Sequence, residues 1–267
     1  MTTAVLHQFQ FSHYNEKARW ALDFKRVAHA RHSLLPGPHM LAMMRLSGQK
    51  SVPVLALDAE VIAGSARIVD ELEKRFPEPA LYPANADEQR AALELQKWFD
   101  EEIGPEIRRA FFFEVLPGSK YAAEMFMIGR GTPTKTIYRT LFPGIRAVMI
   151  KDMKIDAPGA ARGVERTKEA LDLVAERSAG SGYLVGNRFT IADLTAAALL
   201  SPAVMPPQFP YPVPEPRSEG LQRWLSRWSG HPGTAWVSEI YRRHRGTSAA
   251  VGGYGESAVR ITLGRLS

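Results

Sequence analysis

In its first 78 residues the chain switches repeatedly between strand-like and helix-like hydrophobic periods, and beyond them strands nearly vanish. "AVLHQFQF" reads as a short strand. Tyr14, Ala18, Ala21 and Leu22 then fall at i, i+4, i+7 and i+8, which is one face of a helix. "ARHSLL" reads as a second strand, ended by "PGP", and "HMLAMMRL" as a short helix. "VPVLAL" and "EVIA" are two strands flanking the turn-like Asp58. "SARIVDELEKRF" is a helix with Ile68, Leu72 and Phe76 in register, and Ser65 is expected as its N-cap. The order is β-α-β-α-β-β-α. The first crossover demands a parallel pair of strands, and the tight last turn an antiparallel hairpin.

"PEPALYPANAD" loses all periodicity, which sets a linker at 79–86 between a first domain at 1–78 and an all-helical one at 87–246. Helices are predicted over 87–113, from Tyr121 onward, over 143–154, 160–179 and 191–200, and over 221–245 with a break near Pro232. "MPPQFPYPVPEP" is too rich in proline for a helix or a central strand and is expected as an extended connector. The Gly- and Ser-rich tail, 247–267, is expected to be mobile, with "VRITL" as a candidate extra strand.

Composition removes several chemistries. The chain has no cysteine, hence no disulfide, no thiolate metal site and no thiol nucleophile of its own. Its net charge of +6 is spread among interspersed acids and bases, and the densest basic patch, "YRRHRG", reads as a solvated helix end. Nucleic-acid binding would need a broader basic face with interleaved aromatics. No run is long enough for a membrane span, and the first residues lack the pattern of a signal peptide, so a soluble cytoplasmic protein is expected. Five of the seven histidines precede residue 40, but their spacing matches no usual zinc pattern, so no metal is expected. His13 follows Ser12 directly. Sequence neighbours on a helix do not face each other, and no nucleophile-elbow motif is present, which argues against a hydrolase triad.

Four motifs remain. In "FQFSHYNEKARWAL", Ser12 stands where the first helix begins. A helix start offers unpaired N–H groups and a partial positive charge, and an anion there is stabilised. Serine is also a leading N-cap residue, so spacing alone favours a capping role. In "QKSVPVL", Pro53 opens a strand, where it cannot donate to a ladder. In "AGSARI", Ser65 lies at the start of another helix. In "FTIADLTAAALL", Thr190 and Asp193 fit a capping box ahead of an apolar helix.

The element order and these motifs together resemble the glutathione transferase superfamily, in its serine-type, bacterial-like form, over residues 4–245. The resemblance implies a thioredoxin-like α/β N-terminal domain followed by an all-α helical-bundle domain. Redox members of such folds carry Cys-x-x-Cys where this chain has Ser12, His13, Tyr14 and Asn15. Dithiol exchange is therefore gone, while the means to activate a guest thiol is retained. A free thiol has a pKa of about 8.5, and a hydroxyl hydrogen-bonded to sulfur favours the thiolate. The serine-type pattern Ser-Pro-Phe-x-x-Arg-x-Arg is matched by Ser12, Tyr14, Lys17 and Arg19, with His13 departing from proline.

On this resemblance Ser12 is the catalytic residue and glutathione the co-substrate. The Val52–Pro53 peptide is expected to be cis, with Val52 pairing main chain to main chain with the cysteine part of the tripeptide. Gln49 or Lys50 would reach its glycine carboxylate. Ser65 and Ala66, at a helix start, would receive the γ-glutamyl carboxylate. Gly64 stands where the family has an acid, so the contact to the ammonium group is lost, while Arg67 adds positive charge nearby. The acceptor pocket would lie between the domains, with Phe11, Tyr14, Arg108, Phe112, Met205 and Phe209 as candidates. The implied activity is attack of the thiolate on a small apolar electrophile by a homodimer. Dehalogenation, ether cleavage and isomerisation would use the same thiol. A non-catalytic ligand-binding or protein-interaction scaffold is the rival reading, motivated by Gly64.

Overall fold

A computed structural model describes residues 4–252. Strands β1 (Ala4–Gln8), β2 (Ala30–Ser33), β3 (Val54–Leu57) and β4 (Glu60–Ala63) form one mixed sheet in the order β2-β1-β3-β4. β1 runs parallel to β2 and antiparallel to β3, and β3 and β4 make the antiparallel hairpin. The intervening helices are α1 (His13–Phe24), α2 (His39–Ser47) and α3 (Ser65–Arg75). This is the βαβαββα arrangement that the alternation of periods requires.

The second domain is all helical: α4 (Ala86–Trp98), a π-helical turn (Phe99–Ile103), α5 (Gly104–Val115), α6 (Ser119–Phe126), α7 (Thr132–Asp152), α8 (Ala157–Ser178), α9 (Ile191–Val204), α10 (Glu219–Arg227) and α11 (Pro232–His244). α9 is buried along its whole length from Ile191 to Ala203, and packs against α1, α4, α5, α8, α10 and α11. A helix apolar on every side belongs at the centre of a fold. Its start is the capping box: Asp193 accepts from the Thr190 N–H at 2.9 Å and the Leu184 N–H at 2.8 Å, and Thr190 accepts from the Ala192 N–H.

Because α9 lies against α1, every α1 residue from Asn15 to Asp23 is buried, charged ones included. Buried charges need partners. Arg19 donates to Glu16 at 2.8 Å, to Gln8 at 2.7 Å and to the Phe9 and Gln10 carbonyls. Lys17 pairs with Asp100 at 2.5 Å. Arg245, past the end of α11, reaches back to Glu16 at 2.6 Å and Asp23 at 2.9 Å.

Four expectations are corrected. The N-cap of α3 is Gly64, at φ +93°, and Ser65 is the first helical residue, since only glycine takes that backbone turn without strain. α7 begins at Thr132 rather than near residue 143: Pro133 serves its first turn, and Pro143 sits in its interior. The helix expected over 87–113 is broken by the π-helical turn. The tail begins docked. Ala249 N–H and Ser248 Oγ bond Asp23, and His29 forms a parallel bridge with Ala250 beside β2. "VRITL" lies outside the described residues.

Candidate active site

The site is assembled around the start of α1. Ser12 has extended backbone (φ −151°, ψ 124°) and caps the helix, its Oγ accepting the Asn15 N–H at 3.4 Å. Among the described residues its own hydroxyl proton has no acceptor. The next two side chains fix its position against the second domain. In the π-helical turn the Gly104 N–H bonds five residues back to Phe99 O. The next donor in that register would be Pro105, which has none. Asp100 O is therefore left off the ladder, and Tyr14 Oη–H donates to it at 2.6 Å. His13 Nε2–H donates to Gly104 O at 3.0 Å.

These bonds assign roles. Tyr14 has its proton committed to Asp100 O, so the hydroxyl available at the helix start is that of Ser12. Burial, helped by the charge of Arg108, drives the His13 pKa down to about 3. His13 is thus a neutral donor to a carbonyl, which supports its reading as a structural residue and not the base of a triad.

Ser12 opens onto a cavity of about 430 Å³ between the two domains. The structure brings Phe11, Ser12, Tyr14, Lys50, Val52, Arg108, Phe112, Met205 and Phe209 together in its walls. Gln49, Pro53, Gly64, Ser65 and Ala66 do not line it. Ser65 and its neighbours are nonetheless close by construction. The Val52–Pro53 peptide is cis, and the Gly64 N–H donates to Pro53 O at 3.0 Å, which ties the start of α3 to the Val52 turn.

Several lining residues escaped the sequence reading. His39, at the start of α2, faces the cavity with its pKa lowered by burial. In sequence it is one of the scattered histidines, and only its position as the first residue of a helix marks it. Ile145, Val148, Met149 and Asp152 come from the half of α7 that covers the cleft. Tyr138 Oη–H, also on α7, donates to Pro36 O at 3.2 Å and so joins this wall to the first domain. His7 and His32 meet Nδ1 to Nδ1 at 3.0 Å, yet among the described residues no group of three or more His, Asp or Glu is placed to share a metal ion. Among the same residues no helix is long and apolar enough to cross a membrane.

Two family models match the chain: the glutathione S-transferase N-terminal domain over residues 6–80 and the glutathione S-transferase C-terminal domain over residues 137–232. Together they take in well over half of it. The chain belongs to the glutathione S-transferase family. Among solved structures it is similar to a glutathione S-transferase from Rhodospirillum rubrum, with TM-score 0.63 and 20% identity over 91% of this chain and 89% of that one. It is also similar to a glutathione S-transferase from Methylobacterium radiotolerans in complex with glutathione sulfonate, with TM-score 0.60 and 20% identity over 95% and 98%. FzlA from C. crescentus gives TM-score 0.53 and 19% identity over 88% and 91%. At these identities the likeness is one of fold. No curated protein sequence matches the chain. Ser12, Val52 and Ser65 fall inside the N-terminal match, whereas Arg108 and Phe112 on α5 lie outside both matched segments.

Proposed function

We propose that this family member is an active glutathione transferase in which Ser12 stabilises the glutathione thiolate. The observation that carries the reading is the Ser12 hydroxyl at the start of α1, its proton uncommitted, opening onto an apolar interdomain cavity. The tripeptide would run along the first domain, with Val52 offering main-chain pairing and Lys50 a positive charge. Its thiol loses a proton to water. The thiolate, held by the Ser12 O–H and the helix N-terminus, forms a C–S bond to an electrophilic carbon, and the leaving group departs with its electron pair. A cavity walled by phenylalanine and methionine suits an apolar acceptor and shields the anion from water. A homodimer belongs to this reading, and light scattering on the purified chain would measure it.

Gly64 favours one rival. With no acid at that position, the α-amino group of glutathione lacks its usual counter-charge, and a non-catalytic scaffold holding an apolar ligand would have the same cleft. Two measurements on the wild type and Ser12→Ala separate them: the shift in Tm with millimolar glutathione, and turnover of 1-chloro-2,4-dinitrobenzene. A hydrogen bond to a charged group contributes about 1.5–3 kcal/mol, so Ser12→Ala should lower kcat/KM by roughly 10- to 150-fold with the circular dichroism spectrum retained. Wild-type protein that is neither stabilised by glutathione nor able to turn over the aryl halide belongs to the scaffold reading. Undiminished turnover in Ser12→Ala removes serine from the mechanism.

A further inference from the structure

Two cations line the interdomain cavity, Lys50 from the first domain and Arg108 from the second, and neither makes an ion pair among the described residues. Arg108 sits on α5, one turn beyond the Gly104 to which His13 is bonded, and its Nε is buried without a hydrogen-bond partner. The other interior arginines differ: Arg19 has Glu16 at 2.8 Å, Arg31 has Asp23 at 2.7 Å, and Arg245 has Glu16 at 2.6 Å. The adjacent Arg109, too, is paired with Glu106 and donates to Met153 O. Among the described residues of the cavity wall Asp152 is the one acid; its charge acts on Arg108 from a distance, but it stands too far away to form an ion pair.

Arg108 is half-buried with its Nε sealed off, and a guanidinium drawn partly out of water without a bonded counter-ion carries a cost that a ligand's anion would offset. A single guanidinium presents a planar fork that matches a carboxylate in bidentate fashion. Around it the walls are apolar and largely aromatic, including Phe11, Phe112, Met149 and Phe209. The other cation of the wall, Lys50, belongs to the first domain, where the glutathione carboxylates are expected. We propose that Arg108 makes this cleft selective for an acceptor with an aromatic or similarly flat apolar body and one carboxylate, bound with the carboxylate on Arg108 and the electrophilic carbon toward Ser12. This rests on the transferase reading for its chemistry and on the unpaired guanidinium for its selectivity.

The two can fail separately. Binding is measured first by calorimetry with an unreactive pair, 3,5-dinitrobenzoate and methyl 3,5-dinitrobenzoate, on the wild type, Arg108→Met and Arg108→Lys, with folding checked by circular dichroism. Turnover is then measured with the 4-chloro derivatives of the same pair and glutathione, each rate divided by its uncatalysed rate. The wild type should prefer the acid to the ester. Arg108→Met should lower the acid-to-ester ratio by roughly 10- to 100-fold in both Kd and kcat/KM, and Arg108→Lys should recover part of it. Equal binding of acid and ester by the wild type overturns the proposal. So does an equal loss for both in Arg108→Met, or an effect confined to the KM for glutathione. Acid-selective binding without turnover would refute the transferase reading and leave the acid site standing, and turnover of both acceptors with no acid preference would do the reverse.

Discussion

Gly104→Ala tests whether the junction of α1 with the π-helical turn positions Ser12. Gly104 has ordinary helical backbone (φ −57°, ψ −44°), so by propensity alone alanine should stabilise the helix by about 0.8–1.0 kcal/mol. The tertiary contact has the opposite sign. A Cβ at this position would lie 2.6 Å from Tyr14 Cζ and closer still to Tyr14 Oη. Tyr14 has little freedom to yield, because its hydroxyl is bonded to Asp100 O and its ring packs on His13 with centroids 4.6 Å apart. Overpacking costs about 1–3 kcal/mol, and loss of the Tyr14–Asp100 bond about 0.5–1.5 kcal/mol more, so the net expectation is a loss of about 0.5–4 kcal/mol. At about 2–4 °C per kcal/mol, Tm should fall by roughly 1–15 °C. The same displacement moves the first turn of α1, so kcat/KM for a neutral aryl halide should drop as well. Urea unfolding followed by circular dichroism gives the first number and initial rates the second. A Gly104→Ala protein that is more stable than the wild type, with unchanged kinetics, would show that Tyr14 is not wedged against α5 and that the junction does not hold the helix start in place.

Arg245→Met should cost about 1.5–3 kcal/mol, because Glu16 and Asp23 each lose one buried charged partner while keeping Arg19 and Arg31, and the drop is read as Tm. Arg242→Met, which removes an exposed partner of Glu239, should leave Tm close to that of the wild type. Acid should destabilise the fold well above the carboxylate range. Burial lowers the pKa of His7 and His29 from 6.5 to about 4 and that of His13 to about 3, so the unfolded chain binds protons first. Stability present above pH 6.5 is then lost as pH falls toward 4. Asp193, pushed up by burial to about 6, opposes this over the same window. His32, His39 and His244, also lowered by burial, act in the same sense and Asp100, raised by burial, in the opposite one, so stability should fall between roughly pH 6 and 4.5, and equal urea midpoints at pH 7 and 5 would contradict it.

Local sequence settled what depends on neighbours along the chain. The two hydrophobic periods placed the four strands and the first three helices, because each period is a property of a single element. The Thr190–Asp193 box could be read for the same reason, since both partners lie within one helical turn. The all-round apolar run after it led to the central helix α9. Ser12 was legible as the residue at the start of α1, where a cap and an anion site share one geometry.

Tertiary structure decided everything that pairs residues far apart in sequence. Lys17 and Arg19 were legible as the spaced basic residues of the motif, but they are buried because α9 lies against α1. Their partners, Asp100 for Lys17 and Gln8 for Arg19, carry no local mark. The commitment of Tyr14 to Asp100 O follows from a π-helical turn ahead of Pro105, which the expected continuous helix did not contain. Gly64 took the cap from Ser65 because the turn after β4 needs a positive φ. The membership of His39 and Asp152 in the cleft, and the absence of an ion-pair partner for Arg108, exist only once two domains enclose a common space. Hydrophobic period is set by contacts three or four residues apart, while burial and charge pairing are set by what the rest of the chain brings alongside.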